Sequence, residues 1–240
     1  MSLRIGCDLD GVLADMESEL IRHAKALFGD LPARPSQEST PAPAGPALVP
    51  RRSDASQPRL AAIDMTTRQQ SRLWHHVESI DGFWETLKEI EPGSVARLAA
   101  LANERRWELI FLTKRPESAG ATAQVQTQRW LQAQGFTLPS VFVVQGSRGR
   151  VADAFNLDFV IDDRPENCLD VVLDSTTRAI LVWRADETAL PATARRPGVQ
   201  VVHSMAECLA TLERADGATR ERPGLIGWLK RRIGLQEANG

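Results

Sequence analysis

The chain has 240 residues, 42% of them hydrophobic and 25% charged, with a net charge of −2. That is enough for one large α/β domain or a core domain with an insertion. The lack of a basic excess argues against a non-specific binder of nucleic acid polymer. The three cysteines, Cys7, Cys168 and Cys208, have no spacing suited to a disulfide framework or a cysteine metal site. No apolar run approaches the roughly 18 residues that cross a bilayer, and the N-terminus has no apolar signal segment, so a cytoplasmic location is expected.

The first predicted strand, LRIGC (3–7), runs directly into DLDGVLAD (8–15), which sets two carboxylates two residues apart and then a glycine. Such a pair repels itself unless something positive lies between the two groups. A helical pattern over 12–28 follows. Residues 31–60, rich in Pro, Ala and Ser, cannot bury enough surface to order themselves and read as a flexible linker. Helical spacing returns over 66–90 with Leu73, Trp74, Val77, Phe83, Trp84 and Leu87. The next predicted helix, 94–105, carries Ser94 as its cap and an apolar stripe from Val95 to Ala102.

From there strands and helices alternate. WELIFLT (107–113) is a strand, 119–134 a helix that stops before Gly135, and SVFVVQ (140–145) a strand. LDFVID (157–162) precedes a helix opening at Pro165, RAILVW (178–183) and VQVVH (199–203) are further strands, and SMAE (204–207) is a capping box. Runs apolar on both faces, separated by helices, predict a doubly wound α/β fold with a parallel sheet and its site at the carboxyl ends of the strands. About 95 residues separate the first two strands. The expected organisation is therefore a core of 1–13 and 91–216, a helical cap inserted at 14–90, and a basic amphipathic tail at 217–240. The tail, with Leu225, Trp228 and Ile233 beside Lys230, Arg231 and Arg232, can pack on its own domain or dock on an anionic membrane or partner.

Three strand ends supply chemistry: Asp8 with Asp10, Thr113 in FLTKRP, and Asp162 with Asp163 in IDDRPEN. In a parallel sheet these ends share one edge, and four carboxylates there call for a hard cation such as Mg²⁺ together with a phosphate. Asp8 is then a nucleophile for phosphorus, and Asp10 an acid and base for the leaving oxygen.

DLDGV, LT, a basic residue and IDD, in this order, resemble the four motifs of the haloacid dehalogenase-like (HAD) phosphohydrolases. DGVLADMESEL, LTKRP and IDDRPEN most resemble the 5'(3')-deoxyribonucleotidase-like branch. The resemblance covers residues 3–15 and about 93–213. It implies a HAD-like Rossmannoid core with Mg²⁺ as cofactor and an aspartyl-phosphate on Asp8. It makes Asp10 the acid/base, which also binds the metal through its carbonyl, and Thr113 a donor to phosphate. It also implies one of the paired aspartates as direct metal ligand, Asp163 first and Asp162 as the alternative, with the other and Asn167 in the water-mediated shell. The implied substrate is a small phosphorylated metabolite, foremost a (deoxy)nucleoside monophosphate. A sugar phosphatase and a non-catalytic phospho-ligand scaffold are the alternatives.

One departure stands out. The family's lysine between nucleophile and phosphate has no counterpart in VVQGSRGRVADAF (143–155). Arg148 takes its place, with Arg150 or Lys114 as the other candidates. The remaining singular residues have ordinary readings. His75 and His76 face different ways on one helix, and His23 and His203 stand alone. Trp74, Phe83 and Trp84 fit core packing better than base stacking, and Cys7 reads as a buried strand residue.

Overall fold

The structure, a computed structural model, describes residues 2–32 and 63–221. Most of the linker expected at 31–60, and the tail beyond 221, lie outside them. Six strands form one sheet: β1 (Arg4–Asp8), β2 (Glu108–Thr113), β3 (Val141–Val143), β4 (Phe159–Asp162), β5 (Arg178–Val182) and β6 (Val199–Val202). All pairings are parallel and the spatial order is β3-β2-β1-β4-β5-β6. The doubly wound parallel fold expected from the apolar runs is the fold observed.

Alternation along the strands divides the core in two. Ile5, Cys7, Phe111, Phe159, Ile161, Ile180 and Val182 belong to the larger cluster. It also holds residues of α1 (Met16–Phe28), α2 (Thr67–Glu78), α3 (Ser94–Arg105), α4 (Ala123–Ala133) and α7 (Met205–Glu221). Val160, Ala179 and Leu181, the alternate residues, pack with α5 (Arg148–Ala154) and α6 (Pro165–Asp174). Strand order reverses direction between β1 and β4, and at such a point the connections diverge and leave a crevice. Cys7 pairs with Ile161, so by the same register Asp8 falls beside Asp162.

Several local expectations need correction. The helix expected from residue 12 begins at Met16, because the N–H groups of Val12, Leu13 and Ala14 all converge on the Leu9 carbonyl in a tight turn. Gly11 permits that turn with φ +89°. The expected helix over 66–90 ends at Glu78, and after Gly82 (φ +65°) only a 3₁₀ turn, Phe83–Glu85, follows. Ser94 does not cap α3. Gly93 occupies that place, and the Glu89 carboxylate accepts from the N–H groups of Gly93 and Val95. Residues 148–154, for which the sequence suggested no helix, form α5. Its cap is Ser147, whose Oγ accepts from Arg150 N. α7 continues past the boundary expected at 216.

The inserted segment returns to its starting point. Asp15 N donates to Lys88 O, Ile90 N donates to Leu13 O, and Ala14 bridges antiparallel to Glu89. His23 and His76, expected to stand apart, meet between α1 and α2 with Nδ1 and Nε2 3.1 Å apart. No helix among the described residues is long and apolar enough to cross a membrane.

Candidate active site

β1 ends at Asp8, and the turn after it places Asp10 two residues on, so both carboxylates face the same edge. α5 brings Arg148 to them from across the sheet. Its Nη2 donates to Asp8 Oδ1 at 2.5 Å and more weakly to Leu112 O at 3.4 Å, and its Nε lies 3.8 Å from Asp162 Oδ2. Arg148 is 2% exposed, and among the described residues its Nη1 has no hydrogen-bond partner. The arginine chosen from the sequence in place of the family's lysine therefore reaches the expected nucleophile.

A second guanidinium is also present, one the sequence reading passed over. Arg115 is 2% exposed. It grips Asp10 through Nε, at 3.1 Å and 2.9 Å from the two oxygens, and through Nη2, at 2.7 Å from Oδ1. Thr113 donates its hydroxyl to Asp10 Oδ2 at 3.3 Å and accepts from Arg115 N at 3.2 Å. Lys114, expected at the phosphate, is half-buried, and no hydrogen bond or ion pair joins it to another described residue. Period-two geometry was the available signal: in an extended stretch, residues 113 and 115 share a face and residue 114 takes the other. Arg150 lies exposed on α5 and is not drawn to the carboxylates.

Asp162 and Asp163, at the end of β4, have different surroundings. Asp162 Oδ1 accepts from Arg164 N at 2.9 Å, and Asn167 Nδ2 lies 3.0 Å from both of its oxygens. Asp163 Oδ1 is buried and has no hydrogen-bond partner among the described residues. The Asp163 carboxylate lies directly over Gly11, where a Cβ would come within 2.0 Å of Oδ2. Glycine at 11 therefore serves both the turn and the approach of this carboxylate.

The crowding of acids shows in their titration. Burial, then the neighbouring Asp162 carboxylate, raise Asp8 well above the ordinary carboxylate value against the opposing pull of Arg148. Burial and Asp162 push Asp163 up to about 7. Burial also raises Asp162, opposed chiefly by Arg148. Fully ionised, the four carboxylates would carry two negative charges more than the two buried guanidinium groups offset, an excess that one divalent cation would balance.

The donor set fits Mg²⁺. The ion takes oxygen ligands, needs only one or two protein carboxylates and completes its shell with water and phosphate. Asp8 and the Asp163 oxygen that has no partner among the described residues would supply the carboxylates. Among the described residues, no three histidine, cysteine, aspartate or glutamate side chains are arranged to hold a metal by themselves. For an ion that depends on phosphate and water, none need be.

Two sequence alternatives lose their footing. Phe83 and Trp84 are fully buried, with Trp84 Nε1 donating to Pro116 O, so neither offers a face for a base to stack upon. Cys7 is buried, donates its thiol to Asp8 O, and has its pKa raised by that burial, so it is no second nucleophile. Arg184, also unremarked in the sequence, holds the turn after Asp10 from the end of β5. It donates to Gly11 O at 2.6 Å and Val12 O at 3.1 Å, and pairs with Glu91 at 2.6 Å.

No protein-family model matches the chain, and no curated protein matches it. Solved structures share its fold. A Thermotoga maritima protein described as a beta-phosphoglucomutase superposes with a TM-score of 0.53 at 18% identity, covering 88% of this chain and 99% of its own. A HAD family hydrolase from Deinococcus radiodurans R1, solved with bound phosphate and sodium, gives 0.51 at 14% identity, covering 89% and 96%. The fold is therefore HAD-like.

Proposed function

We propose that this chain is a phosphomonoester hydrolase that works through a phosphorylated Asp8, with (deoxy)nucleoside monophosphates as its substrate class. The observation that carries the chemistry is Arg148. A buried arginine holds the Asp8 carboxylate with one nitrogen, and among the described residues its Nη1 has no hydrogen-bond partner. Buried donors are nearly always satisfied, and a phosphate oxygen is the acceptor that arginine geometry suits best. The nucleotide preference rests on the resemblance of the motifs, since the buried Phe83 and Trp84 remove the base platform.

In this reading one Asp8 oxygen attacks phosphorus and the ester P–O bond breaks. Asp10 gives a proton to the departing oxygen. Asp10 then takes a proton from a water that attacks phosphorus, phosphate leaves, and the Asp8 carboxylate is restored. Arg148 donates to the phosphate oxygens, and Thr113 does so when its single hydroxyl proton turns from Asp10 Oδ2. Asp8, Asp163 and the Asp10 carbonyl would hold Mg²⁺, with Asp162 behind them, and the bound ion would offset charge between nucleophile and phosphate. Asp162, anchored by Asn167 and the Arg164 N–H, fixes the far side of Arg148.

Phosphate release is the test, measured with and without Mg²⁺ on nucleoside monophosphates and sugar phosphates, with Asp8→Asn as control. Mg²⁺-dependent release that falls at least ~10³-fold in Asp8→Asn is expected, since removing a nucleophile abolishes its step. Preference for sugar phosphates would keep the chemistry and overturn the substrate class. Absence of Asp8-dependent release from every substrate would leave a phospho-ligand scaffold instead.

A further inference from the structure

We infer that Arg115 is the positioning residue for Asp10, holding it from outside the reaction centre so that its carboxyl meets the leaving-group oxygen. The inference rests on the phosphohydrolase reading and adds a residue to it. Three features of Arg115 carry it.

First, every guanidinium nitrogen is engaged. Nε and Nη2 hold Asp10, while Nη1 donates to Thr127 Oγ1 at 2.9 Å, and the Thr127 hydroxyl in turn donates to Ala123 O at 2.7 Å. Second, the side chain is fully buried behind Asp10, with its engaged nitrogens turned to Asp10 and Thr127. In having all three nitrogens engaged it differs from Arg148, whose Nη1 has no hydrogen-bond partner among the described residues. Third, the plane is set by two aromatic rings, Trp84 with its centroid 5.0 Å away and Trp130 at 5.9 Å. Each ring is pinned in turn, Trp84 Nε1 to Pro116 O at 3.1 Å and Trp130 Nε1 to Leu87 O at 2.7 Å. Asp10 is thereby tied to α4 and to the 3₁₀ turn of the inserted segment through one rigid fork. A lysine could not do this, because a point charge on a flexible stem fixes distance without orientation.

A group that positions a general acid has a signature that a merely structural group lacks. Proton donation matters most when the leaving group is a poor one, and general acids contribute about 10²–10⁴-fold there. An alkyl phosphate such as glycerol phosphate needs the proton, whereas p-nitrophenolate departs without it. The comparison belongs on kcat/KM, which ends at the first irreversible step and so excludes hydrolysis of the shared phosphoenzyme.

The experiment measures kcat/KM of wild type, Arg115→Lys and Thr127→Val on both substrates, with Asp8→Asn as background and thermal melting as a check on folding. For Arg115→Lys, the expected loss on glycerol phosphate is at least about ten times the loss on p-nitrophenyl phosphate. Thr127→Val, which keeps shape and removes the Nη1 anchor together with the hydroxyl's bond to Ala123 O within α4, should show the same selectivity at smaller size and remains informative if Arg115→Lys folds poorly. Equal losses on the two substrates in the folded variants would overturn the inference while leaving the phosphohydrolase reading intact. A wild type with no Asp8-dependent release of either substrate would overturn that reading, and the inference with it.

Discussion

Asp163 carries the clearest residue-scale consequence. Its Oδ1 is buried with no hydrogen-bond partner among the described residues, it lies on Gly11, and its pKa is pushed up to about 7 by burial and Asp162. A buried polar atom in that state destabilises the fold until something binds it. Mg²⁺ should therefore stabilise the protein, by about 2.7 kcal/mol at ~100 times its Kd, read as a rise in Tm. Asp163→Asn should melt near or above wild type without metal, because a buried charge is gone, and should show little or none of the rise. A full Mg²⁺ response in Asp163→Asn would remove Asp163 from the metal ligands. Asp8, Asp10, Thr113 and Asp163 were legible because each ends a strand or follows one closely, and parallel strands share that edge. Arg115 was not, because what distinguishes it from Lys114 is which face of an extended stretch each takes. Reading two-residue spacing outward from Thr113 would have found it.

At the scale of elements, α5 decides where Arg148 points, and α6 decides where α5 lies. Asp170 is the link: its Oδ2 accepts from Ser147 Oγ at 2.9 Å and from Gly149 N at 3.0 Å. The helices approach so closely at Gly149 that an added Cβ would meet Asp170 O at 2.4 Å and Asp174 Cβ at 2.6 Å. Two effects compete in Gly149→Ala. Helix propensity favours alanine by about 1 kcal/mol, whereas overpacking costs typically 1–3 kcal/mol. The clash is with a backbone carbonyl that cannot rotate away, so overpacking wins. Gly149→Ala should lose about 1 kcal/mol or more in urea unfolding and lower kcat/KM as Arg148 shifts. Gly146→Ala, whose Cβ would meet nothing within 4 Å, should do neither. A Gly149→Ala protein as stable and active as wild type would show that α5 does not depend on this contact to place Arg148. The helix itself was hidden in the sequence, since Gly146, Ser147 and Gly149 read as loop punctuation and seven residues are too few for an apolar period to show.

Over the whole molecule, the long separation of β1 from β2 made an insertion legible, and both-face apolar runs made the parallel sheet legible. How the two are joined was not, because the joining groups are backbone carbonyls and scattered side chains such as Arg184 and Arg115, whose distant partners no spacing pattern reveals. Arg184 extends from beyond β5, across β4, to the turn after Asp10, where it donates to Gly11 O and Val12 O. Its partner Glu91 lies at the return of the inserted segment and also accepts from Met205 N, at the start of α7, at 2.9 Å and 3.0 Å. One ion pair therefore gathers the turn after Asp10, the return of the segment between β1 and β2, and α7. The Leu9 carbonyl already serves three N–H groups in that turn, so its shape depends on few bonds, and the carbonyls at 11 and 12 face outward toward Arg184. Hydrogen bonds to a charged donor contribute roughly 1.5–3 kcal/mol each when lost from a partly buried site. Arg184 is about a quarter exposed, which places the expected cost of Arg184→Met near 2 kcal/mol in all. The more telling readout is hydrogen exchange. Amides of residues 11–15 should exchange faster in Arg184→Met, while those of β2 and β4, whose bonds are untouched, keep their protection. Faster exchange throughout the sheet would mean that Arg184 supports the fold at large, and unchanged exchange at 11–15 would mean that the turn holds its shape without the clamp.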